Sequence, residues 1–476
     1  MRPACALGLA VGALLLSLSA GAADPVRPPH IVCLLADDLG YADVGFNGGR
    51  EIATPHLDAL ARGGAVLESF YVQPVCSPTR ATLMTGRFVT HHGVYTVVRP
   101  HAEWGLPLAE RTLAQALREA GYTTAICGKW HLGEFDPAYR PMQRGFDLQY
   151  GHWFGAIDYF THKRDGMRDW YRNDQPCADT GYSTHLIAQE ACRIIRAQPA
   201  DRPLFLYVPF NAVHGPHQVP AKYSEPYAKL KGARRIYAGM VAAMDEAVGQ
   251  IVAALEETGL RTNTLITFSS DNGGPAPGKV TDNGPLRAGK GTIYEGGIRV
   301  CAFATWPGHI AAGQRIRDPL HIGDWYPTLL RLAGAPLEQA LPVDGRDLGP
   351  LLTGTGKLER DALPLPGMRP GEAALRAGDW KLVTKGERAT PELYHLRADP
   401  GERKDLAAVE PGRLAELRAR LEAFLRDAVP DLRTGLDTES AEGETAGKER
   451  RGPAPPRVPA AASDQAASSA SVRIRK

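Results

Sequence analysis

The chain runs to 476 residues, room for one large domain and a smaller one at roughly 100–200 residues per domain. Hydrophobic residues make up 43% and charged residues 23%, ordinary shares for a soluble globular protein. With a formal net charge of only +2, nothing global favours nucleic acid or an anionic membrane as partner, so any affinity for anions must sit in a local pocket.

Arg2, an apolar run over 6–18 and then Ser19-Ala20-Gly21-Ala22-Ala23 read as a secretory signal over residues 1–23. The run is shorter than the roughly 20 residues that span a bilayer. Cys5 precedes the run, away from the cleavage site, so it is no lipid anchor. No later segment reads as long and apolar enough to span. The mature protein is therefore expected to be exported, periplasmic or secreted, with no stable membrane anchor.

Residues 31–36 read as a buried strand. A short helix follows at 112–120, capped by Thr112 and ended by Gly121. Strands follow at 123–127 and 204–208, then a longer helix at 237–258 stopped by Gly259, and strands at 265–268 and 298–304. This alternation marks a mainly parallel sheet covered by helices. Past about 365 the pattern changes: 380–383 and 392–396 read as a small antiparallel sheet. Leu414, Leu417, Leu421, Phe424 and Leu425 then recur at helical spacing until Pro430. The expected division is 24–364, 365–432 and a disordered tail at 433–476, rich in Gly, Pro, Ala, Ser and charge.

Six of the seven cysteines survive signal cleavage. Cys33, Cys127 and Cys301 lie in strand-like runs as small buried hydrophobes. Cys177 and Cys192 are candidates to pair in an oxidising compartment, with connectivity left open.

The chemistry gathers where strands end. Asp37 and Asp38 follow the first strand, Lys129 and His131 the second, His214 the third, and Asp271 and Asn272 the fourth. Ligands of open α/β sheets bind beyond the carboxyl ends of the strands. Asp37, Asp38, Asp271 and Asn272 offer hard oxygen donors, which suit Ca²⁺ and, less well, Mg²⁺. The competing reading makes them turn residues. His214 and His217 lack the helical presentation and the cysteine pair of a zinc site.

Cys76-Ser77-Pro78-Thr79-Arg80 opens a helix, with Ser77 as cap and Pro78 in its first turn. Cys76 at that N-terminus is either an activated thiolate or a buried structural cysteine. Gly284-Pro285-Leu286-Arg287-Ala288-Gly289-Lys290 looks like the start of a phosphate loop. It fails as one, because Gly291 replaces the hydroxyl residue and no strand leads into it. Lys290 stays a cation in a Gly-rich loop, or simply a solvated lysine. Tyr150, Trp153, Phe154, Tyr159 and Phe160 read as packing aromatics ahead of a substrate rim.

From about residue 28 to 330, and more loosely to about 425, the chain resembles the formylglycine-dependent sulfatases, within them the arylsulfatase B (N-acetylgalactosamine-4-sulfatase) type. The resemblance rests on Leu35-Ala36-Asp37-Asp38-Leu39-Gly40, Gln73-Pro74-Val75-Cys76-Ser77-Pro78-Thr79-Arg80 and Gly128-Lys129-Trp130-His131-Leu132-Gly133. Ser270-Asp271-Asn272-Gly273-Gly274 and Glu295-Gly296-Gly297-Ile298-Arg299 follow in family order. It implies an alkaline-phosphatase-like α/β fold, a large mainly parallel sheet flanked by helices with a small C-terminal antiparallel sheet plus helix. It also implies conversion of Cys76 to formylglycine by a formylglycine-generating or equivalent maturation enzyme. Thr79 stands where most members have Ser, which bears only on conversion efficiency.

The hydrated aldehyde would attack the sulfur of a sulfate ester, release the alcohol and then expel sulfate. Asp37, Asp38, Asp271 and Asn272 match the family's calcium ligands, with the modified Cys76 a further one. Arg80 and Lys129 match residues that hold the diol, and His131 one that moves its proton. His214 and Lys290, together with Lys129, match sulfate-binding residues that help the leaving oxygen depart. The implied partner is a sulfated saccharide or aryl sulfate, its sugar chosen by loops around 99–104 and 150–163. A phosphonate or phosphate ester hydrolase of the same superfamily, and a non-catalytic binder of sulfated glycans with an unconverted Cys76, are the alternatives.

Overall fold

The first strand is apolar without alternation because both of its faces are buried. Val32, Leu34 and Ala36 enter one core, while Ile31, Cys33 and Leu35 enter a second on the other side of the sheet. The computed structural model describes residues 27–199, 201–369, 371–386 and 388–433. The signal expected at 1–23, and all of the expected tail except its first residue, lie outside them.

Among the described residues, ten strands form the main sheet. In chain order they are β1 (His30–Ala36), β2 (Ala65–Leu67), β3 (Thr123–Lys129), β4 (Leu148–His152), β5 (Tyr171–Arg172), β6 (Gln175–Pro176), β7 (Leu204–Pro209), β8 (Thr264–Ser270), β9 (Ala302–Thr305) and β10 (Gln314–Ile316). They lie in the order β10-β2-β9-β8-β1-β7-β3-β4-β5-β6. The central run β8-β1-β7-β3-β4 is parallel throughout, so these strands deliver their following residues to one edge. Register makes the delivery exact to the residue: Ala36 faces Ser270, and Lys129 faces His152.

Seven helices matter here: α1 (Pro55–Arg62), α2 (Cys76–Thr85), α3 (Leu113–Glu119), α4 (Ser183–Ala197), α5 (Gly232–Glu257), α6 (Trp325–Leu332) and α7 (Pro411–Leu425). α1, α4 and α5 cover one sheet face, and α2, α3 and α6 the other. α5 corrects the reading that no later segment is apolar enough to span a membrane. By length and composition it is, yet 67% of its most apolar stretch is buried inside the protein. It is the central helix of a core, carrying Met240, Val241, Met244, Val248 and Ile251.

α3 starts as the sequence indicates. Thr112 Oγ1 accepts from Gln115 N at 3.1 Å, and Gln115 Oε1 accepts from Thr112 N at 2.8 Å, closing a capping box. Thr112→Ala is expected to lower unfolding free energy by about 1–2 kcal/mol, read as a shift in urea midpoint that Thr112→Ser largely reverses.

The expected strand at 298–304 is corrected. Glu295–Ile298 forms a helical turn, Arg299–Val300 pairs with Phe70–Tyr71 in a separate small sheet, and only Ala302–Thr305 joins the main sheet, antiparallel to β8. A continuous apolar run does not report that the chain changes sheets within it. The candidate Cys177–Cys192 pair is also corrected, since both are free thiols. Cys177 Sγ points to Asp179 Oδ2 at 3.9 Å, beside an edge hairpin. Cys192 Sγ points to Gln250 O at 3.4 Å, across the α4–α5 contact.

The C-terminal sheet is β11 (Leu363–Pro366), β12 (Glu372–Ala377), β13 (Trp380–Lys385) and β14 (Glu392–His395), antiparallel in that order. α7 packs Leu417 and Leu421 on one of its faces. From the other face Lys381 reaches Glu295 and Glu402, each at 2.9 Å, with all three side chains buried. Tyr71 adds a hydrogen bond to Glu295 at 2.9 Å. Among the described residues, Lys381→Met would leave buried Glu402 without a cation and Glu295 with Arg299 alone, at 3.4 Å, so unfolding free energy should fall by about 3 kcal/mol. An unchanged denaturant midpoint would contradict that.

Candidate active site

Residues from four strand ends and one helix start converge at the carboxyl edge of the central strands. β1 passes directly into Asp37 and Asp38, and β8 into Asp271 and Asn272. All four are buried. Asp271 N donates to Ala36 O at 2.9 Å, which holds the two acidic turns side by side. Ser270 Oγ accepts from Leu39 N at 3.0 Å and donates to Asn272 O at 2.8 Å, tying one turn to the other. Gly273 is required by close approach: a Cβ there would lie 1.8 Å from Gly296 O. The Gly-Gly run after Glu295 is thus the packing partner of the Asp-Asn-Gly turn.

α2 begins at Cys76 itself, with Val75 as its N-cap and no side-chain cap. This corrects the assignment of Ser77 as cap. Ser77 lies one residue inside the helix, where its Oγ donates to His131 O at 2.8 Å and accepts from Val98 N at 3.0 Å. Ser77 therefore holds the segment after β3 against the helix start, a role its sequence position does not disclose.

Cys76 Sγ faces Asp37 Oδ1 at 3.6 Å. One ligand atom from each of Asp37, Asp38, Cys76 and His214 lies within 4.8 Å of the others. Asn272 joins by donating from Nδ2 to Asp38 Oδ1 at 2.7 Å. Its other amide atom, Oδ1, is buried without a partner. Asp271 stands apart from this group: Arg80 holds its Oδ2 through Nε (3.2 Å) and Nη2 (2.8 Å), and its Oδ1 accepts from Asp38 N at 3.3 Å.

Cations surround the carboxylates. Lys129 Nζ meets Asp37 Oδ2 at 2.6 Å, and Lys290 Nζ meets Asp38 Oδ1 at 2.9 Å. Lys290 is thus no solvated loop lysine. His214 Nε2 lies 3.6 Å from Asp38 Oδ2, and its Nδ1 sits 2.6 Å from Gly215 O. His131 follows β3 with its Nδ1 buried and unpartnered. Its ring lies against Gly155, where a Cβ would come within 2.5 Å of Nε2. Of the aromatics, Tyr150, Trp153, Phe154 and Tyr159 are buried in packing, while Phe160 is exposed.

Burial, then the Asp271 charge, pushes the Asp37 carboxyl up to about 7 against the pull of Lys129 and Arg80. Burial would raise Asp38 too, but Lys290 and His214 hold it well below the usual carboxylate range. His131 is pushed far down by burial, Lys129 and Arg80, and His214 falls to about 3 through burial despite Asp38. Burial therefore favours the uncharged form of both imidazoles. For Cys76, burial and Asp271 push the thiol up, not down. This corrects the activated-thiolate reading, because a helix N-terminus is overridden where the sulfur is dry and faces carboxylates.

The sulfatase family model matches residues 29–335 of this chain. Mouse arylsulfatase J is 37% identical over 459 residues, covering 84% of this chain and 76% of its own. Mouse N-acetylgalactosamine-6-sulfatase is 35% identical, covering 83% and 85%. Among solved structures, Ps i-CgsB in complex with k-i-k-neocarrahexaose superposes with TM-score 0.81 at 34% identity, covering 85% of this chain and 94% of that one. These relatives divide between arylsulfatase and 6-sulfatase names and give no preference to a 4-sulfatase type.

Proposed function

Since the chain belongs to the sulfatase family, with its alkaline-phosphatase-like fold and its hydrolysis of sulfate esters, we propose that it acts on a sulfated saccharide through formylglycine at position 76 and a bound calcium ion. The observation that carries the reading is the unpartnered, buried Oδ1 of Asn272, set beside two adjacent aspartates and the residue-76 side chain. A buried amide oxygen without a donor is a group awaiting a ligand. The donor set fits calcium: Asp37, Asp38 and Asn272 supply hard oxygens, and formylglycine would replace the one sulfur with oxygen. Asp271 would join from its Oδ1 side while Arg80 holds Oδ2. When bound, the ion supplies charge that draws the sulfate oxygens and the residue-76 hydroxyl together.

The remaining work falls to this chain's own side chains. Lys129 locks Asp37, and Arg80 locks Asp271 and reaches Lys129 O at 3.0 Å, so the acidic turns are preorganised before substrate arrives. His131, whose buried Nδ1 has no partner, would take a proton from the residue-76 hydroxyl, and the unused nitrogen supports that role. Lys290 and His214 stand over Asp38, where they would meet sulfate oxygens and assist the departing alcohol oxygen. The signal pattern at 1–23 supports export to the periplasm or beyond. A formylglycine-generating or equivalent enzyme is the partner the modification requires.

Mass spectrometry of the tryptic peptide 63–80 tests the modification directly. Protein from a conversion-competent host should carry a form about 18 Da lighter than the cysteine peptide. Finding only the unmodified peptide, in protein inactive on 4-nitrophenyl sulfate, would overturn the proposal and favour a glycan binder. Faster hydrolysis of a phosphonate monoester than of any sulfate would overturn the choice of substrate.

A further inference from the structure

The segment lying on His131 continues into a basic hairpin whose cations the chemistry above does not use. Gly155 backs the His131 ring. A few residues on, Asp158 N donates to Lys163 O at 2.8 Å. Lys163–Arg164 then pairs antiparallel with Met167–Arg168, Lys163 opposite Arg168. The hairpin is closed and pinned by Asp169. Its N donates to His162 O at 2.9 Å, while its carboxylate accepts from Trp153 N (3.0 Å) and Phe154 N (2.7 Å). Those two amides immediately precede Gly155. The hairpin stem is therefore fixed to the same backbone that packs on the catalytic-site histidine.

Arg164 is the hairpin cation turned inward. Its side chain is 31% exposed, and its only ion pair among the described residues is with Asp165, itself exposed, at 3.6 Å. Among the described residues it forms no ion pair with Glu134 or Asp169, the acidic residues on either side of the His131-facing backbone. A half-buried guanidinium whose one ion pair among the described residues runs from Nε to an exposed neighbour keeps its terminal nitrogens for an oxyanion, on a hairpin whose stem is fixed to the backbone that packs on His131.

Resting on the sulfatase reading, we propose that Arg164 is a specificity-determining residue that binds a second anionic group, sulfate or carboxylate, on the saccharide whose scissile sulfate occupies the Cys76 site. The preferred substrates are then saccharides with two negative groups close together. Single-sulfate compounds such as aryl sulfates use the catalytic residues without touching Arg164.

The test is calorimetric, on full-length protein carrying Cys76→Ala, so that a chain with no turnover at all still reports on the subsite. The probes are N-acetylgalactosamine 4-sulfate, 6-sulfate and 4,6-disulfate, and a uronate-linked disaccharide with one sulfate, all at one ionic strength. In the Arg164 background the disulfate or the uronate disaccharide should bind about 10-fold tighter than the single-sulfate sugars. Arg164→Ala should erase that preference and leave single-sulfate binding within about twofold, and Arg164→Lys should restore part of it. Which dianionic probe responds tells sulfate from carboxylate. An equal loss for all probes would assign Arg164 a structural role and overturn the proposal, as would an unchanged preference or no binding of any probe. Separately, 4-nitrophenyl sulfate turnover by Arg164→Ala with Cys76 intact should stay within about twofold of wild type. A wild-type protein inactive on every sulfate would defeat the sulfatase reading and leave the affinity ratios to judge Arg164.

Discussion

Replacing Cys76 by alanine is expected to lower turnover of 4-nitrophenyl sulfate by a factor of at least about 10⁴ while leaving the fold intact. The side chain is buried at the first residue of α2, and its Sγ faces Asp37 Oδ1 at 3.6 Å. The neighbouring hydroxyl, Ser77, is spent on His131 O and Val98 N. Removing one buried sulfur takes away little packing, so the melting temperature should move by only a few degrees. Near-wild-type turnover by purified Cys76→Ala would remove residue 76 from the chemistry. Lost turnover with a large melting shift would be an effect on folding, which is why both are measured on the same sample.

The second large effect is expected from the divalent cation. Chelation should cut activity by about 10²–10³, with Ca²⁺ restoring it at lower concentration than Mg²⁺. The structural readout is independent of activity. An ion that binds only the folded chain stabilises it, by about 2.7 kcal/mol at 100 times its Kd. Calcium should therefore raise the melting temperature of wild-type protein. Asn272→Leu keeps the side-chain size but deletes the unpartnered Oδ1 and the Nδ2 contact to Asp38. In that variant the calcium-dependent shift should shrink or vanish, and activity should need far more calcium. If wild-type protein shows no calcium-dependent shift, these oxygens do not form a calcium site.

The two effects are linked through Asp37. It faces Cys76 on one oxygen and Lys129 on the other, at 2.6 Å. A change at either partner alters the charge it presents, so Lys129 variants should perturb both calcium affinity and turnover. Arg80 joins the two acidic turns, its Nε and Nη2 both on Asp271 Oδ2 and its Nη2 3.7 Å from Asp37 Oδ2.

The sequence by itself determined which polar residues gather at the candidate site and which strands deliver them. The 31–36 run is apolar on both faces and 265–268 is a short, mostly apolar run, and such strands occur in covered parallel sheets whose carboxyl ends all point one way. That placed Asp37, Asp38, Lys129, His131, His214, Asp271 and Asn272 at one edge without any coordinates. The start of α3 was equally legible, because a Thr112–Gln115 capping box is complete within four residues.

The tertiary structure alone decided how those groups pair. Arg80 holds an aspartate 191 residues away, and Lys290 one 252 residues away, and no local period encodes such a partner. It decided that Ser77 locks the His131 segment instead of capping α2, and that the run after Glu295 changes sheets. It also set Cys76 in a dry place facing carboxylates, which raises its proton affinity, because a side chain's proton affinity follows from the water it loses and the charges it meets. Both are set by contacts between strand ends, and strand order and register fix those contacts only once the sheet is assembled.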